Sequence, residues 1–156
     1  MDKNYDDITK EDLGWKPSFS VVMVVGWLIF LLVFWAFYSV EYTTGENIAI
    51  TLLVTLVSFL LLGGMWAIWG IKKMPKEGWE MFKIKGFKWR VYVSIIVPFV
   101  AVIVLIYWFW FYADDYTLWQ NLAFVIVDLL AIGGILGAIW ARWGIMHGEE
   151  LEKKKD

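Results

Sequence analysis

Four long apolar runs dominate the chain: Ser18–Ser39, Asn47–Ile71, Val91–Tyr112 and Leu118–Ile145. A helix needs about 20 apolar residues to cross a hydrocarbon core about 30 Å thick, and each run is long enough. Strands of a membrane barrel would instead alternate apolar and polar residues over about ten positions. These runs are apolar on every face, so the pattern predicts an all-α integral membrane fold with four transmembrane helices. The breaks within each pair are short, Val40–Glu46 and Ala113–Thr117. Helices joined by so few residues are antiparallel neighbours. The expected organisation is an N-terminal tail (1–17), a two-helix repeat (18–71), a loop (72–90), a second two-helix repeat (91–145) and a C-terminal tail (146–156).

The word repeat is meant literally. A shift of 74 residues brings the halves into register without a gap. Ser20 falls on Ser94, Phe37-Tyr38 on Phe111-Tyr112, Tyr42-Thr43 on Tyr116-Thr117 and Asn47 on Asn121. The run 62–71 matches 136–145 at seven of ten positions, Trp66 and Trp69 falling on Trp140 and Trp143. Shared apolar composition does not by itself align a polar loop and a Trp-rich terminus in one register. Because each repeat holds two spans, both enter from the same side, and the expected relation is a pseudo-two-fold axis along the membrane normal, as in parallel-repeat membrane proteins.

Charge supplies the orientation. All fourteen Lys and Arg lie in the tails, the central loop or at the adjoining span end (Arg142), whereas the two short loops carry Glu41, Glu46, Asp114 and Asp115. The positive-inside rule therefore places both termini in the cytoplasm. The N-terminal tail is unlike a secretory signal, and the first span is expected to be retained. Segment 72–90 holds seven basic and two acidic residues among aromatics such as Trp79, Phe82 and Phe87, a composition suited to lying on an anionic lipid surface. The chain is 60% hydrophobic, with twelve Trp, one His, no Cys and a net charge of −2. That composition excludes a disordered chain, a disulfide scaffold and a nucleic-acid binder.

Candidate chemistry is sparse. Asp128 is the single ionisable residue deep within a span, about 15 Å along the fourth helix from its outer end. Such a carboxylate must be protonated, paired or wetted, and is the minimal part of a proton or cation path. The polar stripe Thr51, Thr55 and Ser58 on the second helix is the expected source of a hydroxyl partner for it. Position 128 matches Val54 in the other repeat, so the acid breaks the internal symmetry. Glu41, Glu46, Asp114 and Asp115 form an acidic outer rim able to attract a hard cation. Gly63, Ala67 and Gly70, with Gly133, Gly137, Ala141 and Gly144, recur at three- or four-residue spacing. That spacing permits close helix approach in lipid, and the expectation is that helices two and four pack on each other or on a partner through it. The clustered tryptophans are expected to be interfacial anchors.

With no Cys and only His147, just past the fourth span, thiolate clusters, bis-His haem and Cys or Ser–His nucleophiles are absent. No cofactor, metal or catalysis is expected. Four spans in a short chain are similar to the small multidrug exporters, but those depend on an acid within the first helix, and residues 18–39 hold no charge. The function expected is a non-catalytic accessory subunit of a larger membrane complex, energy-converting or transport. Its partners are membrane lipids and other membrane subunits or a second copy. A small oligomeric proton or cation channel using Asp128 is the alternative, and lipid or quinone binding the third.

Overall fold

A computed structural model describes residues 14–84 and 86–152, without the side chains of residues 77, 81 and 146–152. The described residues are helical throughout, with no strand among them. Helix α1 (Lys16–Val33) starts with Pro17 in its first turn, where a missing N–H costs nothing. It runs on through a π turn (Phe34–Tyr38) and a 3₁₀ turn (Ser39–Glu41). Helices α2 (Thr44–Lys72), α3 (Lys76–Lys83), α4 (Phe87–Phe111) and α5 (Leu118–Glu152) follow, with a second 3₁₀ turn at Ala113–Asp115. Four helical segments among the described residues are long and apolar enough to cross a membrane: Lys16–Glu41, Thr44–Lys72, Phe87–Phe111 and Leu118–Ile145. Their mean hydropathies are 2.4–2.6.

Local chemistry explains the boundaries. Thr43 caps α2 through a reciprocal pair: its hydroxyl accepts from the Glu46 N–H at 3.2 Å and its own N–H donates to Glu46 Oε2 at 2.9 Å. Thr117 and Gln120 reproduce the pair at α5, where the Thr117 N–H donates to Gln120 Oε1 at 2.8 Å. Gly86 opens α4 with φ +82, a conformation that a side chain would strain. The amphipathic α3 is one short helix inside the basic loop, closed by an ion pair between Lys83 and Glu80.

Packing runs α1 on α2, α2 on α4 and α4 on α5, with α3 against α4. Trp66, late in α2, donates to Ser20, early in α1, at 3.0 Å, and Trp35 beyond the end of α1 donates to Thr51 near the start of α2 at 3.1 Å. Those two bonds make α1 and α2 antiparallel. Trp140 to Ser94 at 2.8 Å and Trp108 to Asn121 at 2.9 Å do the same for α4 and α5. The α2–α4 contact, by contrast, has no counterpart of comparable extent between α1 and α5, as a complete two-fold relation would require. The small core sits at the end where α2 begins and α4 finishes, formed by Ala49, Phe109 and Ala113 with Ile48, Leu52, Ile106, Trp108 and Val125 around it. Most large apolar side chains point outward instead, including Leu32 (71% exposed) and Leu130 (69%).

Candidate functional site

Asp128 belongs to the partly buried stripe Asn121, Val125, Asp128, Ile132, Leu136 and Ile139 of α5. That stripe faces α4: Trp108 donates to Asn121, and the Arg90 Nε–H donates to the Ile139 carbonyl at 3.2 Å. Asp128 Oδ2 is buried and has no hydrogen-bond partner among the described residues.

The expected hydroxyl donors are elsewhere. Thr51, Thr55 and Ser58 donate back along α2 to the carbonyls of Asn47, Thr51 and Val54 at 2.9, 2.7 and 2.9 Å. Thr51 and Thr55 also accept from the indoles of Trp35, in the π turn after α1, and Trp27, in α1, each at 3.1 Å. The stripe therefore joins α2 to α1 and leaves Asp128 to α4, which corrects the sequence expectation. The physical reason is angular: the stripe lies on the face of α2 turned toward the indoles of Trp27 and Trp35, and each hydroxyl proton is taken up by its own i−4 carbonyl.

Of the four acidic residues in and beside the two short connections, two have backbone partners. Glu46 is committed to the α2 cap, and Asp114 Oδ1 accepts the Gly45 N–H at 3.0 Å, tying the turn after α4 to the start of α2. Glu41 and Asp115 are exposed in the two 3₁₀ turns. No group of three or more His, Cys, Asp or Glu able to hold a metal ion occurs among the described residues. A cleft of about 350 Å³ lies beside Asp114, lined by Gly45, Ile48, Phe109, Leu122 and Val125.

The small-residue faces are open. A Cβ placed on Gly63, Gly70, Gly133, Gly137 or Gly144 would meet nothing within 4 Å, and Ala67 and Ala141 are exposed. Within the chain these faces do not bring α2 and α5 together; α2 packs on α4 instead, at its other end, where Gly45 lies against the Phe109 carbonyl. Of the two arrangements expected for these faces, packing of the second apolar helix on the fourth is not seen. The side chain of His147 lies outside the described residues.

Sequence reasoning missed the indole hydrogen bonds. Tryptophans read as interfacial anchors also clamp helix to helix, and the clamps recur at the 74-residue spacing: Trp66–Ser20 matches Trp140–Ser94. Asn47 Nδ2 donates to the carbonyls of Ser39 (2.8 Å) and Tyr42 (3.3 Å), and Asn121 Nδ2 to those of Ala113 (2.7 Å) and Tyr116 (3.4 Å), again offset by 74. The paired Ser and Asn positions in the repeat were the available signal. No protein-family model matches the chain, and none of the curated proteins or solved structures compared with it matches either.

Proposed function

We propose that this chain is an integral membrane protein of two tandem helical hairpins, with both termini cytoplasmic, acting as a non-catalytic accessory subunit of a larger membrane assembly. The membrane reading is supported by four apolar helices whose Val, Leu and Ile side chains face outward, a surface that water would not tolerate at this extent. The duplicated hairpin is supported by the clamps and asparagine bonds that recur at one spacing. Its two-fold relation is broken at the α2–α4 contact, so the repeats behave as similar units placed side by side.

The observation that carries the accessory role is the open glycine face. Glycine in a helix costs about 1 kcal/mol relative to alanine. Lipid contact gives no return for that cost, whereas a partner helix approaching closely does. Gly63, Gly64 and Gly70 on α2 and Gly133, Gly134, Gly137 and Gly144 on α5 all stand beside open space. Purification from the native membrane in mild detergent tests this: a stoichiometric membrane partner is the expected result, and a lone monomer would overturn it.

One observation favours a second reading, a small proton or cation path. The buried, partnerless Oδ2 of Asp128 is what such a path would use. The outer rim adds little to it, because Glu46 and Asp114 already serve backbone N–H groups.

A further inference from the structure

We propose that the inner end of the first hairpin binds the phosphodiester headgroup of one anionic phospholipid. The inference goes beyond the accessory role and rests on the membrane reading and the 74-residue match. A cavity of about 290 Å³ opens where α1 begins and α2 ends, lined by Lys16, Met65, Ile68, Trp69, Lys72 and Lys73. Its volume is near the lower end of the roughly 300–1,000 Å³ typical of small-molecule sites. Three lysines line it, and no carboxylate is among the described residues that do.

The walls are held in place. Trp66 donates to the Ser20 hydroxyl at 3.0 Å, and that hydroxyl donates to the Lys16 carbonyl at 3.0 Å, which ties the start of α1 to the end of α2. Trp66 also meets Trp69 edge to face at 5.6 Å and braces the indole on the cavity floor. The N-terminus of α1 adds positive potential, since its Trp15 cap makes no side-chain hydrogen bond and its first turn holds no acidic residue.

In the second hairpin the same place is closed from within the chain. The positions 74 residues after Lys16, Met65 and Trp69 are Arg90, Ile139 and Trp143. There the cation lies down on the floor. The Arg90 Nε–H donates to the Ile139 carbonyl at 3.2 Å, and the guanidinium carbon lies 5.8 Å from the centroid of the Trp143 ring. Phe87 covers that indole at 5.4 Å and is itself packed by Phe82 of α3 at 5.3 Å, so Trp143 is left 4% exposed. The first hairpin has a lysine in place of Arg90, without the planar fork that stacks on an indole, and its Trp69 is only half-buried beside the open cavity. Lys72 and Lys73 stand where the second hairpin has Met146 and His147.

The mixture of charge and apolar floor selects the occupant. Lysine ammonium groups bind phosphate oxygens as point charges. Met65, Ile68 and Trp69 offer an apolar surface that suits the glycerol and first methylenes of a lipid and adds nothing for free phosphate. Ile68 is 60% exposed, so that surface continues onto the outward face of α2, where an acyl chain lies. Basic pockets between spanning helices on the cytoplasmic side take anionic headgroups in this way.

Native mass spectrometry of the full chain in mild detergent, titrated with dioleoylphosphatidylglycerol or dioleoylphosphatidylcholine, reads the site. One phosphatidylglycerol per chain is expected, held at least fivefold more tightly than a second copy or than phosphatidylcholine. Lys72→Gln with Lys73→Gln should weaken that first copy at least tenfold. Lys72→Arg with Lys73→Arg should keep it, which separates lost charge from misfolding. Lys76→Gln with Lys88→Gln removes the same charge from exposed positions outside the cavity and should change binding less than twofold. Equal losses from the two Gln pairs, or no tight first copy, overturn the proposal. Displacement by millimolar inorganic phosphate makes the free ion the occupant and overturns it too. So does a tenfold gain on Glu11→Gln with Asp12→Asn, which makes the chain's own acidic tail the occupant. Failure of the membrane reading shows separately, as a chain soluble without detergent, and a co-purification failure bears only on the accessory role.

Discussion

The backbone N–H of Gly45 donates to Asp114 Oδ1 at 3.0 Å, a bond that joins the first turn of α2 to the turn after α4, 69 residues away. Two features make it a pin between the halves of the chain. A carboxylate at a helix N-terminus meets unsatisfied N–H groups and the positive end of the helix dipole. Glycine is required beside it, because a Cβ at position 45 would come 2.5 Å from the Phe109 carbonyl oxygen.

Gly45→Ala is therefore expected to force α2 away from α4 and to destabilise the chain more than Asp114→Ala, which loses one charge-assisted hydrogen bond worth about 1–2 kcal/mol at this partly exposed site. Asp114→Asn keeps an acceptor oxygen and should lose less than half as much. Unfolding midpoints of the three variants in the same detergent rank them, and a Gly45→Ala protein as stable as the parent would refute the close approach.

The paired indole clamps predict paired effects. Ser20→Ala strands the Trp66 N–H and Ser94→Ala the Trp140 N–H, each costing about 1 kcal/mol. The two clamps belong to different helix pairs, so the double variant should lose the sum within about 0.5 kcal/mol. Denaturation curves in mixed micelles check the additivity.

Gly137→Leu separates fold from assembly. Its side chain enters open space within the chain, so the variant should be no less stable than the parent, gaining up to about 1 kcal/mol of helix propensity. Co-purification of a partner should be lost. A complex that survives the substitution removes α5's glycine face as the interface.

Asp128→Asn keeps the size of the side chain and removes its charge. On the accessory reading it leaves partner recovery intact, and liposomes containing either protein show no proton or cation flux. Flux through the parent that disappears in the variant would install the channel reading in its place.

The absence of cysteine makes sidedness directly measurable. Val40→Cys, at a position 86% exposed in the loop between α1 and α2, should react with an impermeant maleimide on intact cells. Lys76→Cys in the basic loop should react only after permeabilisation. The reverse pattern would invert the topology.

Helix count and span limits were legible because transfer into an apolar phase adds up residue by residue along the chain. The second apolar helix runs Thr44–Lys72 where the apolar run is 47–71, and the third Phe87–Phe111 where the run is 91–112. The candidate site was less legible. Thr51, Thr55 and Ser58 were visible as a stripe, but nothing in a linear pattern says whether a stripe looks toward α1 or α5. The glycine spacing likewise marked a packing face without saying that the chain leaves it open.

Composition and periodicity by themselves determined four apolar helices, an expected sidedness and the self-match at a shift of 74 residues, all of which follow from local hydropathy and side-chain identity. Only the tertiary structure decided that α2 lies on α4, that Asp114 pins Gly45, that Asp128 faces α4 without a partner for Oδ2, and that Asn47 lacks the donor Asn121 has. These depend on the rotation of each helix about its axis and on which neighbour it meets. A few degrees of rotation or one changed ring, Phe34 for Trp108, redirects a hydrogen bond while leaving the hydropathy of the span almost as it was.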